Sequence, residues 1–250
     1  MSLVLEFVDA LKRHDPSAIG ILVAVLVGIL TIGLLFYLKS TRSGRSSVLL
    51  LGICGAGKTL LFTWLTHGKF KETYTSIKTN HGNYTAGLKN KQVKIVDLPG
   101  HERLRNQSLE ENKSQARAVV FVIDSLTFQK EIKDVAEFLY TVLSDNTVLS
   151  RSLPILIACN KQDQTLAKGS KVIQSNLEKE MNTLRVTKAA ALQGTDNTSN
   201  NNSYLGKRNK PFEFSDLKPM SIEFVECSIH GKTDEEADFS TITRWLDRVA

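Results

Sequence analysis

A lysine and a threonine, Lys58 and Thr59, close the stretch GICGAGKT, residues 52–59. Glycine lacks a side chain, so Gly52, Gly55 and Gly57 let the backbone curl until successive N–H groups face one point. Such a nest of donors attracts an anion. The lysine supplies a positive charge for outer phosphates, and the threonine hydroxyl suits a hard cation such as Mg2+. The spacing is that of the phosphate-binding loop, G-x-x-x-x-G-K-[ST]. Expected phosphate contacts run from Gly52 and Gly55 through Ala56, Gly57, Lys58, Thr59 and Leu60.

Two further clusters could complete a nucleotide site. DLPGHE, from Asp97 to Glu102, follows an apolar run. There Asp97 can hold Mg2+ through water, and the Gly100 N–H can meet a terminal phosphate. NKQD, from Asn160 to Asp163, ends another apolar run. The Asp163 carboxylate can accept two hydrogen bonds from guanine, whose edge offers an N–H and an NH2. Adenine lacks that pair and would leave the carboxylate unsatisfied. The Lys161 stem can lie over the ring while Asn160 ties loops together. ECSI, ending a last apolar run, can bring the backbone of Ser228 and Ile229 to the base.

These clusters need a scaffold that gathers them. SSVLLLGI reads as a buried strand into the phosphate loop, and KTLLFTWLTHG as a helix closed by Gly68. Two strands are expected within NYTAGLKNKQVKIVDLPG, with a turn near Lys89–Asn90. ARAVVFVIDS, LPILIACNKQD and SIEFVECS read as three more. Phe128, Ile132, Val135, Ala136, Leu139 and Leu143 recur at helical spacing. So do Ile173, Leu177, Met181 and Leu184, and again Phe239, Ile242, Trp245, Leu246 and Val249. Alternating strands and helices predict a mainly parallel sheet covered on both faces, with the ligand site at the carboxyl ends of the strands. The polar stretch at about 189–211 lacks periodicity and reads as an exposed insertion.

The 250-residue chain has room for one such domain and something more. The extra part is AIGILVAVLVGILTIGLLFYL, residues 18–38, without a single charge. A helix of that length spans about 30 Å, the thickness of a bilayer's hydrocarbon core. Lys39, Arg42 and Arg45 follow it with no acid nearby, whereas Lys12 and Arg13 precede it among Glu6, Asp9 and Asp15. The positive-inside rule then puts the C-terminal part in the cytosol. The expected organisation is a short lumenal segment 1–17, a span 18–38, a linker 39–47 and a cytosolic domain 48–250. Three scattered cysteines, Cys54, Cys159 and Cys227, fit reduced thiols in that compartment. The net charge of +6 lacks the aromatic-basic interleaving of a nucleic-acid surface, and no direct nucleic-acid binding is expected.

In this order the motifs resemble those of the Ras-like GTPases over residues 46–250. With the apolar segment, DLPGHE, NKQD, ECS and the insertion before FEFSDL, the chain resembles the beta-subunit family of the signal recognition particle receptor. The resemblance implies a six-stranded Ras-like fold, GTP and Mg2+ as ligands, and the endoplasmic reticulum membrane as location. It also implies an alpha-subunit partner held there in a GTP-dependent way for protein targeting. A switch segment is implied at TYTSIKT, where Ser76 falls 18 residues after Lys58 and Thr75 is the neighbouring alternative for the metal. His101 stands where Ras-like enzymes carry a water-orienting Gln, so it either orients water or meets a partner. His101 and Cys54 both depart from the Ras pattern, and slow intrinsic hydrolysis is expected. The competing reading is an Arf- or Sar-like trafficking GTPase that cycles by hydrolysis; those attach by lipid or an amphipathic N-terminus.

Overall fold

The computed structural model describes residues 20, 23–34, 46–87, 91–192, 204–207, 209–230 and 237–250. The chain divides into two compact units, Met1–Arg45 and Ser46–Ala250. In the first, residues 20 and 23–34 are helical. Apolar side chains of this helix are open, Ile29, Leu30 and Ile32 being 66%, 63% and 68% exposed. Among the described residues no helix is long and apolar enough to cross a membrane. The remaining residues of the expected span, with segment 1–17 and linker residues 39–45, lie outside them.

The second unit starts with β1 (Ser47–Leu51), whose five residues are all buried. Strands β2 (Asn80–Ala86), β3 (Lys91–Asp97), β4 (Ala116–Asp124), β5 (Ile155–Asn160) and β6 (Ile222–Glu226) complete one sheet in the order β2-β3-β1-β4-β5-β6. Only β2 runs antiparallel to its neighbour. The turn expected near Lys89–Asn90 lies outside the described residues. Alternate residues of β1 point to opposite faces: Leu49 and Leu51 join one core cluster, Val48 and Leu50 the other. On the first face lie α3 (Phe128–Ser144) and α5 (Ser170–Leu192), which supply Phe138, Leu139 and Ile173. On the second lie α1 (Lys58–His67) and α6 (Ser240–Val249), with Leu61, Trp64, Ile242 and Trp245. Phe121 of β4 is fully buried, 5.6 Å from Phe138 between ring centres. Burial of one such side chain contributes about 1.5–3 kcal/mol.

Two short helices add to this frame, α2 (Glu102–Asn112) and α4 (Asn146–Arg151). Polar side chains anchor both. Buried Arg105 of α2 pairs with Asp134 of α3 at 2.7 Å and lies 4.8 Å from the centre of the Phe138 ring. Asp145 caps α4 by accepting from Thr147 N and Val148 N.

The insertion differs at both ends from the sequence expectation. Helix α5 continues to Leu192 through TKAAAL, a run rich in strong helix formers. On the far side the chain is packed rather than loose, with Leu205 2% exposed. The Arg185 guanidinium of α5 is buried and donates to the carbonyls of Lys207 (3.0 Å) and Lys210. It also lies 5.2 Å from the centre of the Tyr204 ring. Residues 193–203 lie outside the described part.

Arg185→Ala takes a charged donor away from two part-buried carbonyls, at about 1–3 kcal/mol. Residues 204–210 should then become a new site of cleavage in limited proteolysis, read by mass spectrometry, with a matching loss of stability in urea.

Candidate functional site

Parallel strands place their carboxyl ends at one edge, and register fixes which residues meet there. Leu50 stands opposite Asp97, Asp124 opposite Asn160, and Cys159 opposite Glu226. The loop after β1 returns as α1 through Gly57, whose φ of 99° lies in the left-handed region. A Cβ on Gly57 would fall 2.4 Å from Asn160 Nδ2. The loop after β3 comes equally close: a Cβ on Gly100 would lie 2.6 Å from Lys58 Nζ and 2.7 Å from Cys54 N. Gly52, Gly55 and Gly57 all have positive φ.

Between these loops is a cavity of about 200 Å3, lined among others by Gly55, Lys58, Thr59, Leu60, Thr75 and Gly100. Lys58 is 6% exposed, and its ammonium donates to the Ile53 carbonyl at 2.8 Å. Burial draws its pKa below the ordinary lysine value, against the pull of Asp97. An anion in the cavity would relieve that cost.

Thr59, Ser76 and Asp97 come together at the cavity edge. Thr59 Oγ1 lies 2.9 Å from Ser76 Oγ and donates to Asp97 Oδ2 at 2.9 Å. Thr75 lines the same cavity, but it is Ser76 that lies beside Thr59. Asp97 is fully buried, and burial raises its carboxyl above the ordinary range although Asn80, Thr59 and Lys58 oppose the shift. Its Oδ1 is buried with no hydrogen-bond partner among the described residues. This donor set fits Mg2+: neighbouring oxygens of an octahedral shell at 2.0–2.1 Å stand about 2.9 Å apart. The hydroxyls match that edge, and the orphaned oxygen offers the acceptor that a metal-bound water needs.

At the other end of the edge, Asn160 is 3% exposed and joins two loops. Its Nδ2 donates to Ala56 O at 2.8 Å, and its Oδ1 accepts from Ile229 N at 3.0 Å. Lys161, at φ 68°, pairs with Asp124 at 2.5 Å. Asp163 is exposed, and its Oδ1 accepts from Ser228 Oγ at 2.7 Å. Burial pushes this carboxyl up, but hydrogen bonds from Ser228 and Gln164 outweigh it and hold the pKa below the ordinary aspartate value. Each oxygen accepts one hydrogen bond, Oδ1 from Ser228 and Oδ2 from Gln164, and the carboxylate faces solvent.

A family model described as the signal recognition particle receptor beta subunit matches residues 43–220. The chain belongs to this family. It is 47% identical over 243 residues to the human signal recognition particle receptor subunit beta, covering 96% of this chain and 89% of that protein. The structure of the mammalian SRP receptor superposes with a TM-score of 0.71 at 47% identity, covering 82% of this chain and 100% of that one. A receptor structure named SRb-GDP-Mg, from Chaetomium thermophilum, gives a TM-score of 0.63 at 25% identity, covering 82% and 98%. The six-stranded, mostly parallel sheet with helices is thus the Ras-like fold of this receptor subunit family.

Within this member of the receptor beta-subunit family, His101 caps α2, its Nδ1 accepting from Arg103 N at 3.4 Å. It also lines an apolar hollow of about 300 Å3 with Thr75, Ser76, Ile77, Arg103 and Leu104. Two site residues escaped the sequence reading. Asp124 carries a signal, being the carboxylate that ends an apolar strand. Asn80, which donates to Asp97 Oδ2 at 3.0 Å, carries none, because only strand register brings it there.

Asn160→Ala removes the bridge between the loops. With two buried backbone groups left unpartnered, stability should fall by about 2–4 kcal/mol, measured by urea unfolding without added nucleotide.

Proposed function

We propose that this chain is the GTP-binding, membrane-anchored subunit of a signal recognition particle receptor. It holds the alpha subunit at the endoplasmic reticulum membrane in a GTP-dependent way for cotranslational targeting. The observation that carries the reading is the pairing of two chemistries along one sheet edge. A buried lysine and two close hydroxyls stand at one end, and an open carboxylate held by Ser228 at the other. Phosphates belong at the first and guanine at the second.

In this reading Gly52, Gly55, Ala56, Gly57, Lys58, Thr59 and Leu60 cradle the phosphates, with Gly100 at the terminal one. Asn160 supports the loops, and the Lys161 stem covers the base. Asp163 pairs with the guanine edge while Ser228 and Ile229 flank it. Mg2+, when bound, neutralises phosphate charge. Thr59 and Ser76 would be its direct ligands, and Asp97 would hold it through water. The GDP and Mg named for the Chaetomium thermophilum relative support this assignment. The uncharged run 18–38 and the exposed apolar side chains of the helix at 23–34 support a membrane span. The GTPase domain is then cytosolic.

Asp163→Asn replaces an acceptor with a donor on the base edge. GTP affinity should drop by about 10- to 100-fold while xanthosine triphosphate gains, both read by calorimetry. Equal GTP affinity in the variant would remove Asp163 from base recognition.

For the partner, the full chain in detergent should capture the alpha subunit when loaded with GTP and release it with GDP. Thr59→Asn should lose capture in either state. Equal capture by all three forms would leave a passive tether in place of a switch.

A further inference from the structure

Asn80 opens β2, and antiparallel register sets it opposite Asp97, the last residue of β3. Paired strands hold these two backbones at a fixed separation, so a short amide is long enough to join the side chains. Asn80 Nδ2 donates to Asp97 Oδ2 at 3.0 Å and reaches Ser76 Oγ at 3.4 Å. The Thr59 hydroxyl meets the same Oδ2 at 2.9 Å, and Ser76 Oγ stands 3.5 Å from it. One carboxylate oxygen therefore collects donors from α1, from the segment before β2, and from β2 itself. The other oxygen, Oδ1, is buried and has no partner among the described residues.

The terminal torsion of an aspartate is soft, so a carboxylate held at neither oxygen turns readily. Here the amide and the hydroxyl lock it with Oδ2 saturated and Oδ1 free. Asn80 does so without charge. A lysine in its place would neutralise the carboxylate and repel a cation.

Resting on the reading of Thr59, Ser76 and Asp97 as the Mg2+ side of a guanine-nucleotide site, we propose that Asn80 is a positioning residue. It locks the Asp97 carboxylate and couples it to Ser76, so that cation affinity and placement of the segment before β2 depend on each other. Removing an outer hydrogen bond of this kind costs a metal site about 10- to 100-fold in affinity.

The test uses the full chain in detergent, loaded with fluorescent GDP or GTP analogues, and follows nucleotide release across a Mg2+ titration. In Asn80→Ala and in Asn80→Leu, which keeps the volume without the donor, the Mg2+ midpoint should rise about tenfold or more. Release in EDTA should stay at the parent value, and any loss of unfolding temperature should be the same with and without Mg2+. Combined with Ser76→Ala, Asn80→Ala should give less than the sum of the single effects, since both act on one network. An unmoved Mg2+ midpoint overturns the proposal. Faster release by the same factor with and without Mg2+ overturns it too, leaving Asn80 a strand residue only. Additive effects in the double variant remove the coupling to Ser76. Failure of the underlying site is read separately, as a parent protein that binds no guanine nucleotide or shows no Mg2+ dependence.

Discussion

One buried amide holds the functional edge together. Asn160 donates to the loop that leaves β1 and accepts from the backbone that follows β6, two segments joined by no strand pairing. Neither partner group has water to fall back on, so the bond is worth most of a desolvation penalty on each side. Gly57 is the counterpart of that amide. Any side chain there would collide with Asn160 Nδ2, so the phosphate loop can close only around a glycine. The distance between the phosphate end and the Asp163 end is thus set by the interior of the protein and not by a ligand.

Around this frame, charges are left in costly positions. Lys58 and Asp97 are both nearly inaccessible, and burial moves each pKa toward the neutral form. Together they would gain from a direct ion pair, yet the Lys58 ammonium donates to the Ile53 carbonyl instead. The Thr59 hydroxyl and the Asn80 amide take Asp97. Keeping the two charges apart leaves one free for an anion and the other for a cation. The arrangement costs stability, and an anion beside Lys58 with a cation beside Asp97 would return it.

The sequence was most legible where a strand ends in a loop. β1, β4 and β5 are largely apolar runs, and their polar tails land at the edge because parallel strands leave no other place for them. Lys58, Asp97, Asn160 and Asp163 could therefore be located from motif and strand alone. Helices α2 and α4 were not visible. In α2 the inward positions include Arg105 and Ser108, so the apolar period that marks a helix is missing. In α4 only Val148 is buried, and an Asp145 cap starts the helix. Thr75 and Ser76 could not be separated by counting, since one residue of slack in the segment exchanges them. The bonded hydroxyls bring Ser76 to Thr59. Asn80 was out of reach altogether, because its meaning comes from facing Asp97 across two strands.

His101 and Asp163 show how the edge divides its tasks. The His101 ring is committed through Nδ1 to the first turn of α2, the helix that Arg105 pins to α3. The DLPGHE loop is therefore tied at one end to a packed helix. Its other end is Asp97, held by Thr59 and Asn80. Between them Gly100 sits against the Lys58 ammonium with no room for a Cβ. In the proposed reading a terminal phosphate would meet the Lys58 ammonium here, one residue before His101. The apolar hollow beside His101 includes Ile77, which is 75% exposed and follows Ser76 directly. Thr75 and Ser76 line both this hollow and the cavity beside Lys58. The Asp163 corner, held by Ser228 and by the Asn160 bridge, makes none of these contacts and stands at the other end of the edge.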